Sequence, residues 1–513
     1  MNTQDGIVSF LSRPSAWPGD VRSVERIETH ISWVFLAGRR AWKMKKALKL
    51  PYLDFSTLEK RHAMCRRELE INRRFSPALY LGLSRVTKAP DGALAVDGEG
   101  ETMEWLVRMR RFDPDDIFSE IVRRGPLGAP VTRALAQTVA ESHEKAVVRS
   151  RAHGARIMRR VLDELSAALG AREEALGREE TRALLARLEG LLETHASLLR
   201  RRARAGFVRR CHGDLHLGNI VLVDDRPMLF DALEFSEELA TIDILYDLAF
   251  LLMDLIHRGR RDTASRVFNA WLQYFADEAN YAGAGLMGLF CACRAAIRAM
   301  VLMDLAEQKS GAERTAKENE ARAYLRTALS CAREQRPRVI AVGGFSGSGK
   351  TTLAAALAAR VGAGPGAVHL RTDVERKRMA GVDEFTRLGP EHYTQAASDA
   401  VYESLLEKAK AVAASGWPVV VDAVFSKESE RAAFSRMARR AGVYFAGIWL
   451  SAPRDVLRQR VAGRTGDASD ATPAVVDLQL ERGAGNIGWR TVNAAGSPRE
   501  VLDAALEALG QEK

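Results

Sequence analysis

Residues 344–351 read Gly-Phe-Ser-Gly-Ser-Gly-Lys-Thr, the GxxxxGK(S/T) spacing of a loop that holds phosphates. Its glycines let successive backbone N–H groups wrap phosphate oxygens at a helix N-terminus. Lys350 would then reach the β/γ-phosphates, and the Thr351 hydroxyl would ligate magnesium. More than a hundred residues upstream, His212-Gly213-Asp214-Leu215-His216-Leu217-Gly218-Asn219 sets an aspartate five residues ahead of an asparagine. That spacing also suits phosphoryl transfer: Asp214 takes the proton of an acceptor hydroxyl, and Asn219 turns back to hold a magnesium ion. One chain thus carries two phosphate-handling devices of different architecture.

Each device needs partners elsewhere. For the first, a second metal carboxylate is expected at Asp231, after the strand-like Met228-Leu229-Phe230. Lys43 or Lys45 would contact ATP phosphates from a strand, and Glu68 on the following helix would pair with that lysine. The two lysines project from one strand face and Lys46 from the other, so the choice between them stays open. Asp243 and Asp247, one helical turn apart, are expected to brace the catalytic loop. For the second device, Asp422 ends the apolar run Trp-Pro-Val-Val-Val-Asp, where a strand-end carboxylate can reach the magnesium shell. Asp373 stands at the end of what should be the next strand.

The elements that position these residues can be read from period and punctuation. Residues 24–46 alternate as a hairpin that turns at Ala37-Gly38-Arg39, and a helix follows from about Thr57 to Phe75. Another strand covers Glu104–Arg110, and residues 131–205 are helical with charged, solvent-facing sides. A short strand pair spans Val221–Asp231, and helices fill 241–333. After the linker 334–338 the pattern changes to alternating strands and helices: strands at Val339–Gly343, Trp417–Asp422 and Tyr444–Leu450, and a helix at Lys350–Arg360. That alternation predicts a parallel sheet with helices on both faces. The expected domains are 1–332 and 338–513.

HGDLHLGN, together with HISWVFLAGRRAWKMKKALKLPYLDFSTLEKR, RRELEINRR and LFDALEFSEELATIDILYDLAF, resembles the aminoglycoside phosphotransferase-like, protein-kinase-like enzymes over roughly residues 21–330. Within that group the chain looks closest to a bacterial branch in which this domain is fused to a P-loop domain. The resemblance implies an α+β protein-kinase-like N-terminal domain, with Asp214 as catalytic base and Asn219 and Asp231 as metal ligands. It departs at Glu28–Ser32, which lacks the glycines of a protein-kinase phosphate lid.

Residues 338–500 are similar to small P-loop kinases of the polynucleotide, gluconate and antibiotic-kinase type. The element Asp373-x-x-Arg376 carries that likeness, and in those enzymes the aspartate activates the acceptor hydroxyl. By the same resemblance the arginines in Leu-Arg-Gln-Arg-Val-Ala-Gly-Arg form a lid over the transferring phosphoryl group, with Arg460 and Arg464 ahead of Arg458. The nucleotide contacts expected in this half are Gly344, Gly347, Ser348, Gly349, Lys350, Thr351 and Thr352.

Bulk properties narrow the classes. With 513 residues the chain exceeds one core, and 47% hydrophobic with 28% charged residues is ordinary globular composition. The longest apolar run, Leu248–Ile256, contains Asp254 and is far short of a membrane span. No basic-then-apolar leader opens the sequence. Five scattered cysteines suit free thiols in a reducing cytoplasm. The net charge of +10 is spread along the chain as a solvated arginine-rich surface, with no aromatic-interleaved basic stripe.

The expected function is a bifunctional phosphotransferase that uses ATP and Mg2+ on a small hydroxylated acceptor. One alternative is an ATP-driven regulatory switch with a pseudokinase-like, ligand-binding first half. Another is nucleic-acid end phosphorylation by the P-loop half, for which no stacking platform is evident. Glu234, Glu237 and Glu238 could line an acidic pocket for a polycationic acceptor or lie on the surface. The acceptor and the oligomeric state are not legible.

Overall fold

A computed structural model describes residues 3–50, 53–149, 153–464 and 466–510. The chain groups into two compact units, one of Met1–Gly154 with Ala203–Leu251, the other of Ala155–Arg202 with Leu252–Lys513.

The first unit is built on a six-stranded antiparallel sheet. Its order is Val24–Glu28, Ser32–Ala37, Arg40–Lys45, Glu101–Arg110, Tyr80–Lys88 and Leu94–Val96. The hairpin expected over 24–46 is therefore three strands. Both faces of the sheet are covered. Trp42 and Met44 pack with Phe35, Val86 and Leu106 under the N-terminal helix residues Ile7, Val8 and Leu11. The alternate residues Ala41, Lys43 and Lys45 face the other way, where Ala41 packs with Cys65, Val107 and Tyr80. The helix Leu58–Phe75 covers that second face. Thr57 caps it by accepting from Lys60 N, and its buried residues Arg61, Cys65, Glu68 and Asn72 recur at helical spacing. Glu68 is thereby aimed at the lysine strand. Below the sheet come the short antiparallel pair Ile220–Val223 and Arg226–Leu229 and the start of the helix Ile244–His257.

The second unit contains a five-stranded, all-parallel sheet ordered Val368–Arg371, Val419–Asp422, Arg338–Gly344, Tyr444–Ser451 and Arg490–Asn493. Its three inner strands read as near-continuous apolar runs because both of their faces are buried, and Ile340, Val342, Val420 and Ile448 form a core with Leu353, Leu357, Leu502 and Ala505. The boundary we place between the two sequence domains, 332–338, lies inside this unit, whose helices on either side of it pack together. Among the described residues one helical stretch, Glu278–Glu307, is long and apolar enough to span a membrane by length and composition. In the fold 78% of its apolar window is buried inside the protein, so its apolarity is accounted for by the core. All five cysteines are free and buried.

Candidate active sites

The first site is assembled within the first unit. Glu68 is shared by both lysines: Lys43 Nζ lies 3.0 Å from Oε1, and Lys45 Nζ donates to Oε2 at 2.6 Å. They diverge in their second partner. Lys43 is paired with Asp231, whereas Lys45 donates to Glu234 Oε1 at 2.5 Å. The Lys45 side chain is fully buried and that of Lys43 is 10% exposed, so only Lys43 has a surface open to a ligand. Burial alone would lower both lysine pKa values. The neighbouring carboxylates outweigh it, Asp231 and Glu68 for Lys43 and Glu234 and Glu68 for Lys45, and hold both ammonium groups above the usual lysine range. Burial would raise Glu68, but the two lysines hold it at about 2.

Asp231 adopts a left-handed backbone, with φ at 58°, which a non-glycine residue keeps only when its surroundings impose it. They do: its N–H donates to the buried Tyr80 hydroxyl at 3.0 Å, and the next N–H, of Ala232, donates to Asn72 Oδ1 at 2.9 Å. The 212–219 loop is held by Asp247. Its Oδ2 accepts from His212 N at 3.1 Å, and its Oδ1 accepts from Gly213 N at 2.8 Å. His143 Nε2 lies 3.1 Å from Oδ2 as well. Gly213 sits at φ +88°, a conformation that favours glycine. Asp243 has a smaller task, accepting from Leu245 N at 2.9 Å at the start of the same helix.

Asp214 and Asn219 meet directly. Asn219 Nδ2 donates to Asp214 Oδ2 and to its carbonyl, both at 2.9 Å, which leaves the amide oxygen as the atom able to ligate a cation. The Asp214 side chain is 40% exposed, so a substrate hydroxyl can approach it. Oxygen donors from an amide and a carboxylate suit magnesium, so Asn219 and Asp231 fit the ion expected there. The acidic-pocket idea fares differently. Glu234 is buried against Lys45, and Glu237 is paired with Arg67, Arg149 and Arg210, so neither carboxylate is left uncompensated for a polycation.

The second site lies at the carboxyl ends of the parallel strands. Gly347, at φ +85°, passes so close to Leu457 that a Cβ would sit 2.4 Å from its carbonyl oxygen, so only glycine fits. Gly349 opens the helix Lys350–Arg360 in a left-handed conformation. Lys350 Nζ donates to Phe345 O at 3.2 Å, and Gln479 Oε1 accepts from Ser346 N at 2.8 Å. Thr351 Oγ1 donates to Asp422 Oδ2 at 2.6 Å, which brings the expected hydroxyl and carboxylate together. That pair too suits a hard cation. Burial would raise Asp422, but His369, Lys350 and Arg371 hold it at about 2. Asp373 goes the other way: burial and the nearby Asp422 charge raise its pKa.

The arginines separate. Arg464 lies beside Asp467, at 3.6 Å, and its charge acts on Lys350. Arg460 donates to Ala494 O at 2.8 Å, and both arginines line a 340 Å³ cavity with Gly347, Gly349, Thr352 and Pro498. Arg458 is paired with Asp477. Arg376 is buried over the Tyr393 ring, 4.8 Å from its centroid, and donates to His392 O at 2.5 Å. The segment 466–471, expected to form a lid, is tied down through Asp470 Oδ2, which accepts from Lys377 Nζ at 2.6 Å, Tyr393 OH at 2.5 Å and Leu388 N at 3.1 Å.

The description "Phosphotransferase enzyme family" matches residues 62–284, and "AAA domain" matches 339–484. The uncharacterized protein Rv2004c of Mycobacterium tuberculosis (strain ATCC 25618 / H37Rv) is 30% identical over 481 residues, covering 92% of each chain. A Mycobacterium bovis protein matches over the same extent. The chain belongs to this two-domain family, which joins a phosphotransferase half to a P-loop half.

Among solved structures, a gluconokinase from Sinorhizobium meliloti 1021 is 25% identical over 34% of this chain and 93% of its own, with a TM-score of 0.26. A choline/ethanolamine kinase family protein from Mesorhizobium loti is 17% identical over 64% and 95%, with a TM-score of 0.39. The family's chemistry is kinase-type phosphoryl transfer, carried by a protein-kinase-like half and a P-loop half with a parallel sheet. Several residues that hold the two sites in this family member have no motif to announce them. Tyr80 and Gln479 act by single long-range hydrogen bonds, and no local spacing reports those.

Proposed function

We propose that the chain is a bifunctional phosphotransferase with two separate Mg-ATP sites, each passing the γ-phosphoryl group to a hydroxyl of a small molecule in the cytoplasm. What supports this reading is that each half brings close together the kinds of side chain such a site would need: a lysine, oxygen donors and an aspartate. In the first, Lys43 is the phosphate lysine, because it bridges Glu68 and the cation ligand Asp231 while Lys45 is sealed away. Asp214, oriented by Asn219, accepts the hydroxyl proton as the acceptor oxygen attacks phosphorus. In the second, Lys350 and the backbone of 344–349 hold the β/γ-phosphates, and Asp373, whose raised pKa suits a base, takes the acceptor proton. Arg464 reaches the transferring group, and Arg460 shapes the nucleotide cavity with the 494–496 backbone. Asn219 and Asp231 in the first site, and Thr351 and Asp422 in the second, would hold magnesium, which would neutralise charge on the phosphate oxygens. The buried free thiols support a reducing compartment.

The test is a screen of hydroxylated metabolites, nucleosides and oligonucleotides with labelled ATP, run on full-length Asp214→Asn and Asp373→Asn proteins. Each variant should lose transfer to one acceptor class and keep the other. Transfer that survives unchanged in both variants would remove the two-base reading.

A further inference from the structure

The segment that carries Arg371, Asp373 and Arg376 is the outermost strand of the parallel sheet, Val368–Arg371, continuing into the helix Thr372–Met379. An edge strand presents unpaired N–H and C=O groups and is free to shift unless something covers it. Here the cover is a side chain from the helix Arg261–Tyr274, in the part of the sequence that precedes the P-loop half. Asn269 Oδ1 accepts from His369 N at 2.6 Å, and Asn269 Nδ2 donates to Ala367 O at 3.2 Å. One carboxamide thus satisfies a donor and an acceptor two residues apart, as a neighbouring strand would. Asn269 is buried, and a further bond from Nδ2 to Ser265 O, at 2.9 Å, holds the amide in orientation. The strand pinned in this way also places the His369 ring, whose Nε2 is 3.8 Å from Asp422 Oδ2.

A second tie reaches the adjoining helix. The buried Tyr281 ring lies 5.0 Å from Lys408 Nζ, and Lys408 is paired with Glu375, two residues past Asp373. Glu375 also accepts from Ser404 Oγ at 2.6 Å. By contrast, the cavity beside the phosphate loop is lined only by residues 347–353, 460–464 and 494–501. No side chain of the strand or helix that carries Asp373 lines that cavity.

We infer that Asn269 and Tyr281 are positioning residues of the P-loop site: helices numbered with the first half hold the strand and helix that carry the candidate base of the second. The inference rests on the proposed role of Asp373. A fusion of the halves is then a requirement of the second reaction, because 338–513 alone lacks the outer support of its acceptor side.

The experiment uses the full chain with Lys43→Met to remove nucleotide binding by the first site, and reads ATP hydrolysis by the second, with water as the acceptor. Asn269→Ala should keep the Kd for Mg-ATP within about twofold and lower kcat about 10–100-fold, the effect expected of a small misplacement of a reacting group. Asn269→Asp keeps the acceptor for His369 N and loses the donor to Ala367 O, so its kcat should fall between the two. Tyr281→Phe keeps the ring beside Lys408 and should keep the rate; Tyr281→Ala should lower kcat and leave the Kd. Wild-type kcat in Asn269→Ala and Tyr281→Ala overturns the inference, as does an equal loss of nucleotide affinity. If Asp373→Asn in the same background hydrolyses ATP at the unaltered rate, the assignment of Asp373 fails first, and that result is distinct from the others.

Discussion

Lys43 and Lys45, two residues apart on one strand, hold opposite oxygens of the same carboxylate, Glu68, at 3.0 and 2.6 Å. The shared glutamate makes the two lysines look equivalent, and their other partners make them different. Lys43 continues to Asp231 at the ligand surface, and Lys45 continues to Glu234 in the interior.

Lys43→Met should abolish Mg-ATP binding by the first site with little loss of stability, because Glu68 retains Lys45 and Asp231 is partly exposed to solvent. Lys45→Met leaves Glu234 and one Glu68 oxygen buried without a counter-charge. Breaking a buried pair from one side costs about 3–5 kcal/mol, so this variant should show a clear fall in Tm. Calorimetric titration and thermal melts of the two variants check both outcomes. A Lys45 variant that melts normally and fails to bind nucleotide would reverse the assignment.

Asp214→Asn keeps shape and removes basicity. Transfer by the first site should drop about 10²–10⁴-fold, the usual contribution of a general base, while Mg-ATP binding persists. Asp231→Asn should instead weaken nucleotide binding that depends on magnesium. Single-turnover rates and binding isotherms separate the two. No magnesium-dependent binding by the first site at millimolar ATP would leave it a kinase-shaped scaffold.

In a Lys43→Met background, Lys350→Ala should remove nucleotide binding by the second site, because Lys350 is the cation of the phosphate loop. Thr351→Ala should lose the magnesium dependence first, since its hydroxyl is paired with Asp422. Equilibrium dialysis with and without magnesium gives both readings.

Asp373 carries a raised pKa, from burial and the Asp422 charge. A base must be ionised, so transfer by the second site should increase as pH rises through that raised pKa. Asp373→Asn should flatten this acid limb. Asp422 has the opposite sign. Its folded pKa, held at about 2, lies below the unfolded value, so it stabilises the fold above the ordinary carboxylate pKa. That contribution is lost as pH falls towards 2. The pH–rate profile and the pH dependence of melting test the two aspartates independently.

Limited trypsin treatment should cut at Arg333, in the short irregular segment that precedes the strand Arg338–Gly344. The nicked chain should nevertheless elute as one species, because Asn269 and Tyr281 lie on one side of the cut and their partners on the other. Separation of the fragments on gel filtration without denaturant would count against that packing.

The sequence by itself determined whatever chemistry is written in consecutive residues. The phosphate loop depends on backbone amides in a short run, and the Asp214–Asn219 spacing is a single turn of chain, so both are visible as strings. The helix Leu58–Phe75 was legible from its cap and its period, and the parallel sheet from apolar runs that alternate with helices. The support for Asp247 as a brace of the catalytic loop also came from spacing, and its bonds to His212 and Gly213 bear it out.

Only the tertiary structure distinguished Lys43 from Lys45, because a period of two puts both on one face and the difference lies in partners nearly two hundred residues away. It alone showed that Glu234 is a buried counter-charge, and that Arg460 and Arg464 have different neighbours. It also showed that an asparagine at 269 completes the edge of a sheet that begins at 338. Those are long-range pairings between single side chains. Local propensity carries no trace of them, since each is set by which surfaces the folded chain brings within hydrogen-bond reach.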